Sequence, residues 1–493
     1  MALHLRFRPR WSVKYVLCSA ISIYILAHLL LDMPLLSSKL PNPTGSFNVG
    51  TIDIEVPCES RQTPKVVDQE GERAFEVSTV LFSLFYPTNK DAVSKTHHPW
   101  VPKPLSLKGE GYARFAKVNN FLTNGIFTFG LWSLVGSTEI PANVDTPIHG
   151  TVKTYIDYEA EHPLDGDYGR PKFPVIVFSH GMAGSRTDYS AYCSELASRG
   201  IVVAAIEHRD GSAPASVIMR EKMKPRRRFH LTPEMLSPQP ETPEFKVMQL
   251  TMRQAEVEET VRVLRMLNDG RGGEVFRANT RLEGRDLAEW RGRLDTNKFL
   301  IGGHSYGATL ALQVLKGAPS EALPFVGGIM FDPGKQSGPL NDDVGVPVVV
   351  VHSQSWSAKH SIFDHRPHFS VVKDLVRKII EERKQFAWFV TAKGTTHPSV
   401  TDAPLIEPFL LSWTTGSTIN AHEAVLQYVK ITEQLVDFLR AGHRHSILRE
   451  EITHPEYDES ARDYDASLSK YWQIHMAPTT ACPAPGLCGL DDD

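Results

Sequence analysis

The spacing of hydrophobic residues along the chain changes in a regular way between Phe75 and Phe438. Short, continuously apolar runs such as "FPVIVF" and "VPVVVV" alternate with longer amphipathic stretches such as "FKVMQLTMRQAEVEETVRVLRML". Continuously apolar strands are expected where helices cover both faces of a sheet, and strand–helix alternation is typical of parallel sheets. The pattern therefore predicts an α/β fold with one doubly wound, mostly parallel sheet and helices on both faces.

The individual elements follow from the same periodicity. The predicted strands are "STVLFSLFYPT", "FPVIVFSHG", "IVVAAIEHRD", "KFLIGGHS", "PFVGGIMFD", "VPVVVVHS" and "FAWFVTAKG". Three predicted helices end at or near a glycine, as helices often do, and these glycines are Gly200, Gly270 and Gly317. The segment "FLTNGIFTFGLWSLVG", residues 121–136, has apolar residues without a clear strand period.

The N-terminal residues carry a different pattern, in which basic residues precede an apolar run, "YVLCSAISIYILAHLLL". As a helix this run spans about 26 Å, close to the thickness of a thin bilayer. We expect an uncleaved single-pass membrane anchor with a cytosolic N-terminus and the body of the chain on the lumenal or extracellular side, because positive charge precedes the span. A cleaved signal peptide, which gives a secreted protein, and a buried helix are the alternatives.

These patterns divide the chain into four parts. Residues 1–40 form the basic segment and anchor (or signal peptide), and residues 41–72, which include "PNPTGSFNVG" and "CESRQTPK", are predicted to be a linker. Residues 73–475 form the α/β domain. Residues 476–493, which are Pro-rich and then acidic, are predicted to be a disordered tail.

Composition narrows the function classes. The chain has 493 residues, of which 41% are hydrophobic, and a formal net charge of −4, so there is no excess of basic residues for binding nucleic acid. Its five cysteines do not form a disulfide framework in a chain of this length. Cys482 and Cys488 are either a pair that closes a small loop or two free thiols. No Cys/His spacing resembles a zinc site, and we expect neither a metal nor another cofactor.

Ser305 is the candidate nucleophile. It stands in "FLIGGHSYGATLAL", where a predicted strand ends and a predicted helix begins. Gly-x-Ser-x-Gly at a strand–turn–helix junction is the pattern of a nucleophile elbow, because Gly303 and Gly307 leave room for the sharp turn. The turn also directs backbone N–H groups and the positive end of the helix toward the reacting centre.

A serine hydroxyl becomes a good nucleophile only when a histidine accepts its proton and a carboxylate orients that histidine. On sheets of this type the order along the chain is serine, acid, histidine. Asp332 ends the strand "PFVGGIMFD" and therefore lies on the same rim as the elbow. It is the preferred acid, and Asp364 and Asp402 are its competitors, although neither follows a predicted strand so directly.

The preferred histidine is His397, in "GTTHPSVTD" after the last predicted strand. A loop at this position can reach over the sheet edge to the serine. His352 is the rival, because "VPVVVVHS" also places a histidine at a strand end. An oxyanion hole requires two N–H donors. We assign them to Tyr306, which follows the serine, and to Met182, in the loop of "FSHGMAGSR".

At this point the chain resembles a known family, the plasma-type platelet-activating factor acetylhydrolases. The resemblance is carried by "FYPT", "PANVDTP", "FPVIVFSHGMAGSRTDYSAYCSELASRGIVVAAIEHRDGSA", "IGGHSYGAT" and "GTTHPSVTD". It covers most of the chain, and fungal-type relatives resemble it more than the secreted mammalian members do. The resemblance implies an α/β-hydrolase fold, a nucleophile at Ser305, an acid at Asp332, a base at His397 and oxyanion donors at Met182 and Tyr306.

The activity implied by this resemblance is calcium-independent hydrolysis of the sn-2 ester of phospholipids with short or oxidised acyl chains. This is the 1-alkyl-2-acetylglycerophosphocholine esterase type of phospholipase A2. The alternatives are a carboxylesterase or polyester hydrolase acting on other esters, and an inactive ligand-binding relative. The chain departs from the family where "PGK" follows the acid, in the insert "REKMKPRRRFHLTPEMLSPQPETPE", and in its N-terminal anchor.

The expected partners are the phospholipid substrate and a membrane or lipid surface. The apolar residues between Phe121 and Val135 are candidates for the contact with lipid, which family members use to draw substrate from lipoprotein or membrane. The alternative is that these residues pack in the core under a long loop.

Overall fold

The structure is a computed structural model, and it describes residues 12–31, 35–36, 39–62, 65–151, 171–220, 224–358, 362–363, 365–460 and 470–478. Its strands are β1 (Asn48–Gln62), β2 (Glu76–Thr88), β3 (Asn143–Val144), β4 (Phe173–Ser179), β5 (Val202–Ile206), β6 (Ala215–Ile218), β7 (Arg226–Phe229), β8 (Leu294–His304), β9 (Phe325–Phe331), β10 (Val348–Ser353), β11 (Ile362–Phe363), β12 (Arg366–Pro367), β13 (Ala387–Ala392) and β14 (Trp472–Met476).

The α-helices are α1 (Val13–Leu30), α2 (Leu105–Phe115), α3 (Phe121–Val135), α4 (Ser190–Ala197), α5 (Thr242–Asn268), α6 (Gly272–Ala278), α7 (Tyr306–Val314), α8 (Gln354–Ser357), α9 (His368–Glu381), α10 (Ala403–Ile406), α11 (Pro408–Thr415) and α12 (Ala421–Ala441). Short 3-10 turns occur at Pro233–Met235, Leu287–Trp290, His397–Val400 and Ser446–Arg449.

Ten strands form one twisted sheet in the order β14-β13-β10-β9-β8-β4-β5-β2-β1-β3. The six strands from β13 to β5 are parallel to their neighbours, whereas β2 and β14 join at the two sides as antiparallel strands. The parallel strands end on one rim: His304 pairs with Phe331, and Ser353 pairs with Ala392. The α/β fold with a mostly parallel sheet is confirmed.

The core lies on both faces of this sheet. In β4, Val175 and Val177 face one apolar cluster, which also contains residues of α5, α7 and α9. Ile176 and Phe178 face the other cluster, which contains residues of α4 and α12. Because successive side chains of a strand point to opposite faces, the continuously apolar sequence of β4 is explained by helices on both sides.

The linker prediction for residues 41–72 was wrong for the central part of this stretch. Asn48–Gln62 forms β1, which pairs along its length with β2 in the large sheet. Two acidic residues of this strand have arginine partners: Asp53 is paired with Arg186 at 2.5 Å and Glu55 with Arg209 at 2.9 Å. Since these pairs are buried, the strand belongs to the folded domain.

The C-terminal boundary also needs a small correction, because β14 extends to Met476, inside the predicted tail. Residues 479–493, with Cys482 and Cys488, lie outside the described residues, and so does Asp364. Within the described part of the chain, α1 is the one helix that is long and apolar enough to cross a membrane. None of its residues is buried.

Candidate active site

Ser305 lies at a sharp turn between β8 and α7. Its backbone has φ 56° and ψ −119°, a strained conformation that a non-glycine residue adopts mainly where the surrounding structure enforces it. The N–H of Ser305 donates to the carbonyl of Phe331 at 2.9 Å, which fixes the turn to the end of β9. Its side chain makes no capping hydrogen bond with the helix. The hydroxyl of this partly exposed residue is therefore not used to cap α7.

The two glycines of the elbow are required by close packing. A Cβ on Gly303 would lie 2.3 Å from the carbonyl oxygen of Gly307. A Cβ on Gly307 would lie 2.0 Å from the carbonyl oxygen of Ser179, at the end of β4. Both distances are far below any van der Waals contact, so the turn seats itself against the sheet only with glycine at both positions.

Asp332 follows β9 directly and is buried. Its Oδ1 accepts a hydrogen bond from the N–H of Ser353 at 2.6 Å, and its Oδ2 accepts one from the Ser353 hydroxyl at 2.7 Å. Nδ1 of His397 lies 2.9 Å from the same Oδ2. The end of β10 thus orients the carboxylate, and the carboxylate in turn engages His397.

The imidazole of His397 lies between two rings. On one side the indole of Trp356 is stacked on it, with ring centroids 3.9 Å apart and 8° between the planes. The second ring is that of His304, the residue before Ser305, and its centroid lies 4.4 Å from that of His397. The N–H of His397 donates to the Ser355 hydroxyl at 3.1 Å. These contacts fix the imidazole next to the elbow, with Nδ1 committed to Asp332.

The rival residues have other surroundings. His352 is buried on β10, stacked on His368 and hydrogen-bonded through Nδ1 to Ser357 at 3.2 Å. Asp402 accepts hydrogen bonds from both the N–H and the hydroxyl of Ser190, at 2.8 Å and 2.6 Å, and one from the Trp100 indole at 2.9 Å. Burial raises the pKa of Asp402 to about 6. Its contacts hold the start of α4 to the rest of the domain.

Met182 and Tyr306 line one cavity together with Ser305, and its volume is about 1010 Å³. A Cβ on Gly181 would lie 3.1 Å from the Cβ of Ser305, so the loop after β4 contacts the serine directly. The neighbouring N–H groups are occupied: Gly181 donates to the Tyr189 hydroxyl and Ala183 to the carbonyl of Ser212. Among the described residues, the N–H groups of Met182 and Tyr306 have no hydrogen-bond acceptor.

Arg253 of α5 contacts both the loop after β4 and the residue that follows the serine. Its guanidinium donates to the carbonyl of His180 at 2.9 Å and to Asp210 at 2.8 Å. It also lies over the ring of Tyr306, 4.5 Å from the centroid. Burial, followed by the charge of Arg253, lowers the pKa of His180 to about 4. The site therefore rests on a buried cation that touches both segments expected to supply oxyanion donors.

One group of potential metal ligands coincides with this site. Ligand atoms of His304, Asp332 and His397 lie within 4.8 Å of one another. Both oxygens of Asp332 already accept hydrogen bonds from Ser353, and Nδ1 of His304 lies 2.8 Å from the Tyr189 hydroxyl. Two imidazoles and a carboxylate with these hydrogen-bond partners can hold and transfer a proton.

Sequence reasoning missed several residues that shape the site, among them Trp356, Ser353 and Arg253. Ser353 had a usable signal, because it ends a strand on the same rim as Asp332. Arg253 also had one, since it is a charged residue on the buried face of an amphipathic helix. Trp356 had none, because its contact with His397 depends on how two loops pack.

The sequence is similar to those of known proteins. The family described as "Platelet-activating factor acetylhydrolase, isoform II" has a sequence model that matches residues 35–451. A platelet-activating factor acetylhydrolase of Canis lupus familiaris is 26% identical over 372 residues, which are 74% of this chain and 68% of that protein. A Schizosaccharomyces pombe protein provisionally named a phospholipase A2 is 25% identical over 446 residues, 82% of this chain and 92% of its own length.

A solved structure shares the fold. The ferulic acid esterase of Streptomyces cinnamoneus superposes with a TM-score of 0.52 at 16% sequence identity, over 85% of this chain and 97% of the esterase. At this level of identity the match concerns the architecture of the sheet and helices. It agrees with an α/β-hydrolase fold.

Proposed function

The chain belongs to the isoform II platelet-activating factor acetylhydrolase family, and we propose that it hydrolyses the sn-2 ester of phospholipids that carry short or oxidised acyl chains. It is a carboxylic ester hydrolase by family and fold; the substrate and the residue roles are the proposal. The observation that carries it is the hydrogen bond between His397 Nδ1 and Asp332 Oδ2 beside the strained turn at Ser305.

In the first half of the reaction, Nε2 of His397 takes the proton of the Ser305 hydroxyl as the oxygen attacks the ester carbonyl. A bond forms between the serine oxygen and the carbonyl carbon, and the carbonyl electron pair moves to oxygen. Asp332 holds the imidazole in the tautomer that has its proton on Nδ1 and stabilises the imidazolium that results. The imidazolium then protonates the leaving lysophospholipid oxygen as the ester bond breaks.

In the second half, water attacks the acyl-serine and gives its proton to His397. The free carboxylic acid leaves, and the serine hydroxyl is restored. The negative oxygen of each tetrahedral intermediate accepts hydrogen bonds from the N–H groups of Met182 and Tyr306. One such donor contributes about 10²–10³ in turnover.

A lipid surface is the second part of the proposal. Four large apolar side chains of α3 are exposed, and two more are exposed on α11; we refer to these six as the apolar face. The members are Phe121, Leu122, Ile126, Phe129, Phe409 and Trp413. Phe121 is 95% exposed and Trp413 is 83% exposed. Water-exposed side chains of this size and number favour transfer into lipid.

The apolar face adjoins both the site and the N-terminal helix. Val135, at the end of α3, and Ile406 of α10 belong to one buried apolar cluster, and α11 follows α10 directly. The hydroxyl of Thr415 in α11 accepts a hydrogen bond from Thr396, the residue before His397, at 3.2 Å. Leu36, shortly after α1, donates its N–H to the Ser133 carbonyl in α3. The same end of the molecule therefore carries the apolar face and the connection to α1.

We therefore propose that α1 is a membrane anchor and that the catalytic domain, which includes β1, lies on the bilayer on the lumenal or extracellular side. Cleavage of α1 as a signal peptide, followed by secretion, is the competing outcome. Intact-mass measurement of the protein purified from its membrane fraction separates the two. Retention of the residues of α1 supports the anchor, and a mature chain that starts after them contradicts it.

A substrate panel tests the proposed activity. The full chain in mild detergent is assayed with 1-alkyl-2-acetylglycerophosphocholine, with a long-chain phosphatidylcholine and with p-nitrophenyl acetate. The proposal predicts the highest kcat/KM for the short-chain phospholipid. Preference for the p-nitrophenyl ester indicates a general esterase instead. Absence of all hydrolysis, together with no labelling by a fluorophosphonate, indicates an inactive ligand-binding relative.

A further inference from the structure

The cavity beside Ser305 has an unusual charge distribution. Its charged lining residues are two lysines, Lys246 on α5 and Lys335 in the loop after Asp332. Among the described residues that line it, none is acidic; the others are neutral side chains such as Met182, Phe363 and Trp356. An ester that enters this cavity therefore meets positive charge, and no negative charge on the lining opposes it.

In the described part of the chain Lys335 forms no salt bridge with a carboxylate, and the nearby Asp332 is already hydrogen-bonded to Ser353 and His397. Its ammonium nitrogen lies 3.5 Å from the ring centroid of Trp356, the indole that is stacked on His397. This contact holds the cation one ring away from the imidazole. The residue belongs to "PGK", the segment that directly follows Asp332.

Lys246 is the second cation of this cavity. Its ammonium nitrogen lies 5.0 Å from the ring centroid of Tyr306, the residue after the nucleophile. Its hydrogen-bond partner is the neutral amide oxygen of Gln249, at 3.4 Å. In the described residues it also lacks a salt bridge with a carboxylate. Both cations therefore line the cavity that contains Ser305, and each contacts an aromatic residue next to the proposed triad.

A half-buried ammonium group that forms no salt bridge is costly to desolvate. An anion that enters the cavity would relieve this cost and would form charge-assisted hydrogen bonds, which are roughly twice as strong as neutral ones. Within the proposed function, on which this inference rests, the substrate brings such a group in its phosphodiester. We propose that Lys246 and Lys335 form an anion subsite that binds the substrate's phosphate and selects phosphate-bearing esters over neutral ones.

The test compares two esters of which only one carries the phosphate, as part of its phosphocholine group. The full chain and its variants Lys335→Gln, Lys246→Gln and the double variant are assayed with 1-alkyl-2-acetylglycerophosphocholine and with 1-alkyl-2-acetylglycerol, which lacks the phosphate. We expect KM for the phospholipid to rise about tenfold for each lysine removed, since a hydrogen bond to a charged group is lost. We expect kcat to change little, and the values for the neutral ester to stay within about twofold.

Three controls separate charge from folding and from the proposed activity itself. Lys335→Arg keeps the charge and should keep most of the selectivity. Lys316→Gln removes an exposed lysine just after α7, outside the cavity, and should change neither substrate. Hydrolysis of p-nitrophenyl acetate by every variant reports an intact nucleophile, so loss of esterase activity as a whole is distinguished from loss of the subsite.

A third ester identifies which anion is bound. A diglyceride with a glutaryl group at sn-2 carries a carboxylate on its acyl chain and no phosphate. If the lysine variants lose only this substrate, the two cations contact the acyl chain and the phosphate assignment is wrong. Equal losses on the phospholipid and on 1-alkyl-2-acetylglycerol, or no loss on the phospholipid, also overturn the proposal.

Discussion

Oδ2 of Asp332 lies 2.9 Å from Nδ1 of His397, and both oxygens of this carboxylate also accept hydrogen bonds from Ser353. Ser353, at the end of β10, therefore holds the carboxylate in the orientation in which it contacts the imidazole. A carboxylate held in this way presents an acceptor to Nδ1–H and leaves Nε2 of His397 free to accept a proton. The orientation of the proposed base thus depends on two strands of the central sheet.

The first prediction concerns this pair. Asp332→Asn should lower kcat by about 10⁴, because an amide donates where the imidazole needs an acceptor and favours the wrong tautomer. The matched control is Asp402→Asn, a second buried aspartate whose hydrogen bonds serve the start of α4. We expect this control to lower the melting temperature and to keep kcat per folded molecule within about tenfold. If Asp402→Asn lowered kcat more than Asp332→Asn does, Asp402 would be the acid.

The second prediction concerns Arg253, which contacts the His180 carbonyl and the Tyr306 ring. Arg253→Lys keeps the buried charge beside Asp210 but cannot reproduce both contacts. If Arg253 positions the oxyanion donors, kcat should fall by about 10–10³, with KM nearly unchanged. Affinity for a trifluoromethyl ketone inhibitor should fall in parallel.

A conservative change elsewhere in the buried charge network serves as its control. Arg281 pairs with Glu55 on β1, and Arg281→Lys should leave the inhibitor affinity unchanged. A purely structural role for Arg253 would appear differently. Its variant would then lose thermal stability, while the folded fraction would keep full kcat and full inhibitor affinity.

The third prediction concerns the apolar face. Replacing Ile126 and Trp413 by serine should lower kcat/KM for a short-chain phospholipid presented in vesicles by about tenfold or more, because each side chain moved into lipid contributes roughly 1.5–3 kcal/mol. Hydrolysis of water-soluble p-nitrophenyl acetate should not change. Leu282→Ser, at an 81% exposed apolar residue on the loop after α6, is the control. An equal effect of the control variant would show that general surface apolarity matters and that this face does not.

The fourth prediction concerns pH. Burial lowers the pKa of Lys335 to about 8, so the free enzyme carries this charge below pH 8 and loses it as the pH rises through that value. The ratio of kcat/KM for the phospholipid to that for its phosphate-free analogue should therefore be highest below about pH 8 and fall above it. Asp332, His397 and His368 also lie near this lysine.

Both esters depend on those three neighbouring groups, so their titration cancels in the ratio. In Lys335→Gln the ratio should be low and should not vary across the same pH range. A fall of the ratio that persists in this variant would assign the titration to another group.

The strands of the sheet and the residues at their C-terminal ends were predictable because short stretches of sequence are enough to identify them. The run that became β4 is continuously apolar, those that became β8 and β9 are mostly so near their C-terminal ends, and the residues directly after β8 and β9 are Ser305 and Asp332. Their meeting on one rim follows from parallel pairing, which strand–helix alternation already implies. His397 was preferred because a loop after the last strand can reach over the sheet edge, whereas chain order alone also allowed His352.

The remaining features depend on pairings between distant parts of the chain. β1 was assigned to a linker from "PNPTGSFNVG" and "CESRQTPK", although Ile52, Ile54 and Val56 alternate with Asp53 and Glu55 as in a strand. What the sequence does not give is the pairing of these acids, because their partners Arg186 and Arg209 lie more than a hundred residues away. The segment that became α3 showed no clear strand period, and its apolar residues serve two environments: Val135 packs inside the domain and Phe121 faces solvent.

The central claim is that Ser305 is the nucleophile and that His397 activates it. The most direct measurement is reaction of the full chain with a fluorophosphonate, followed by mass spectrometry of the intact protein and its peptides. The account predicts a single adduct on the peptide that contains Ser305, far slower labelling of His397→Ala, and a loss of turnover of about six decades in Ser305→Ala. An adduct on a different serine, or undiminished ester hydrolysis by Ser305→Ala, would contradict it.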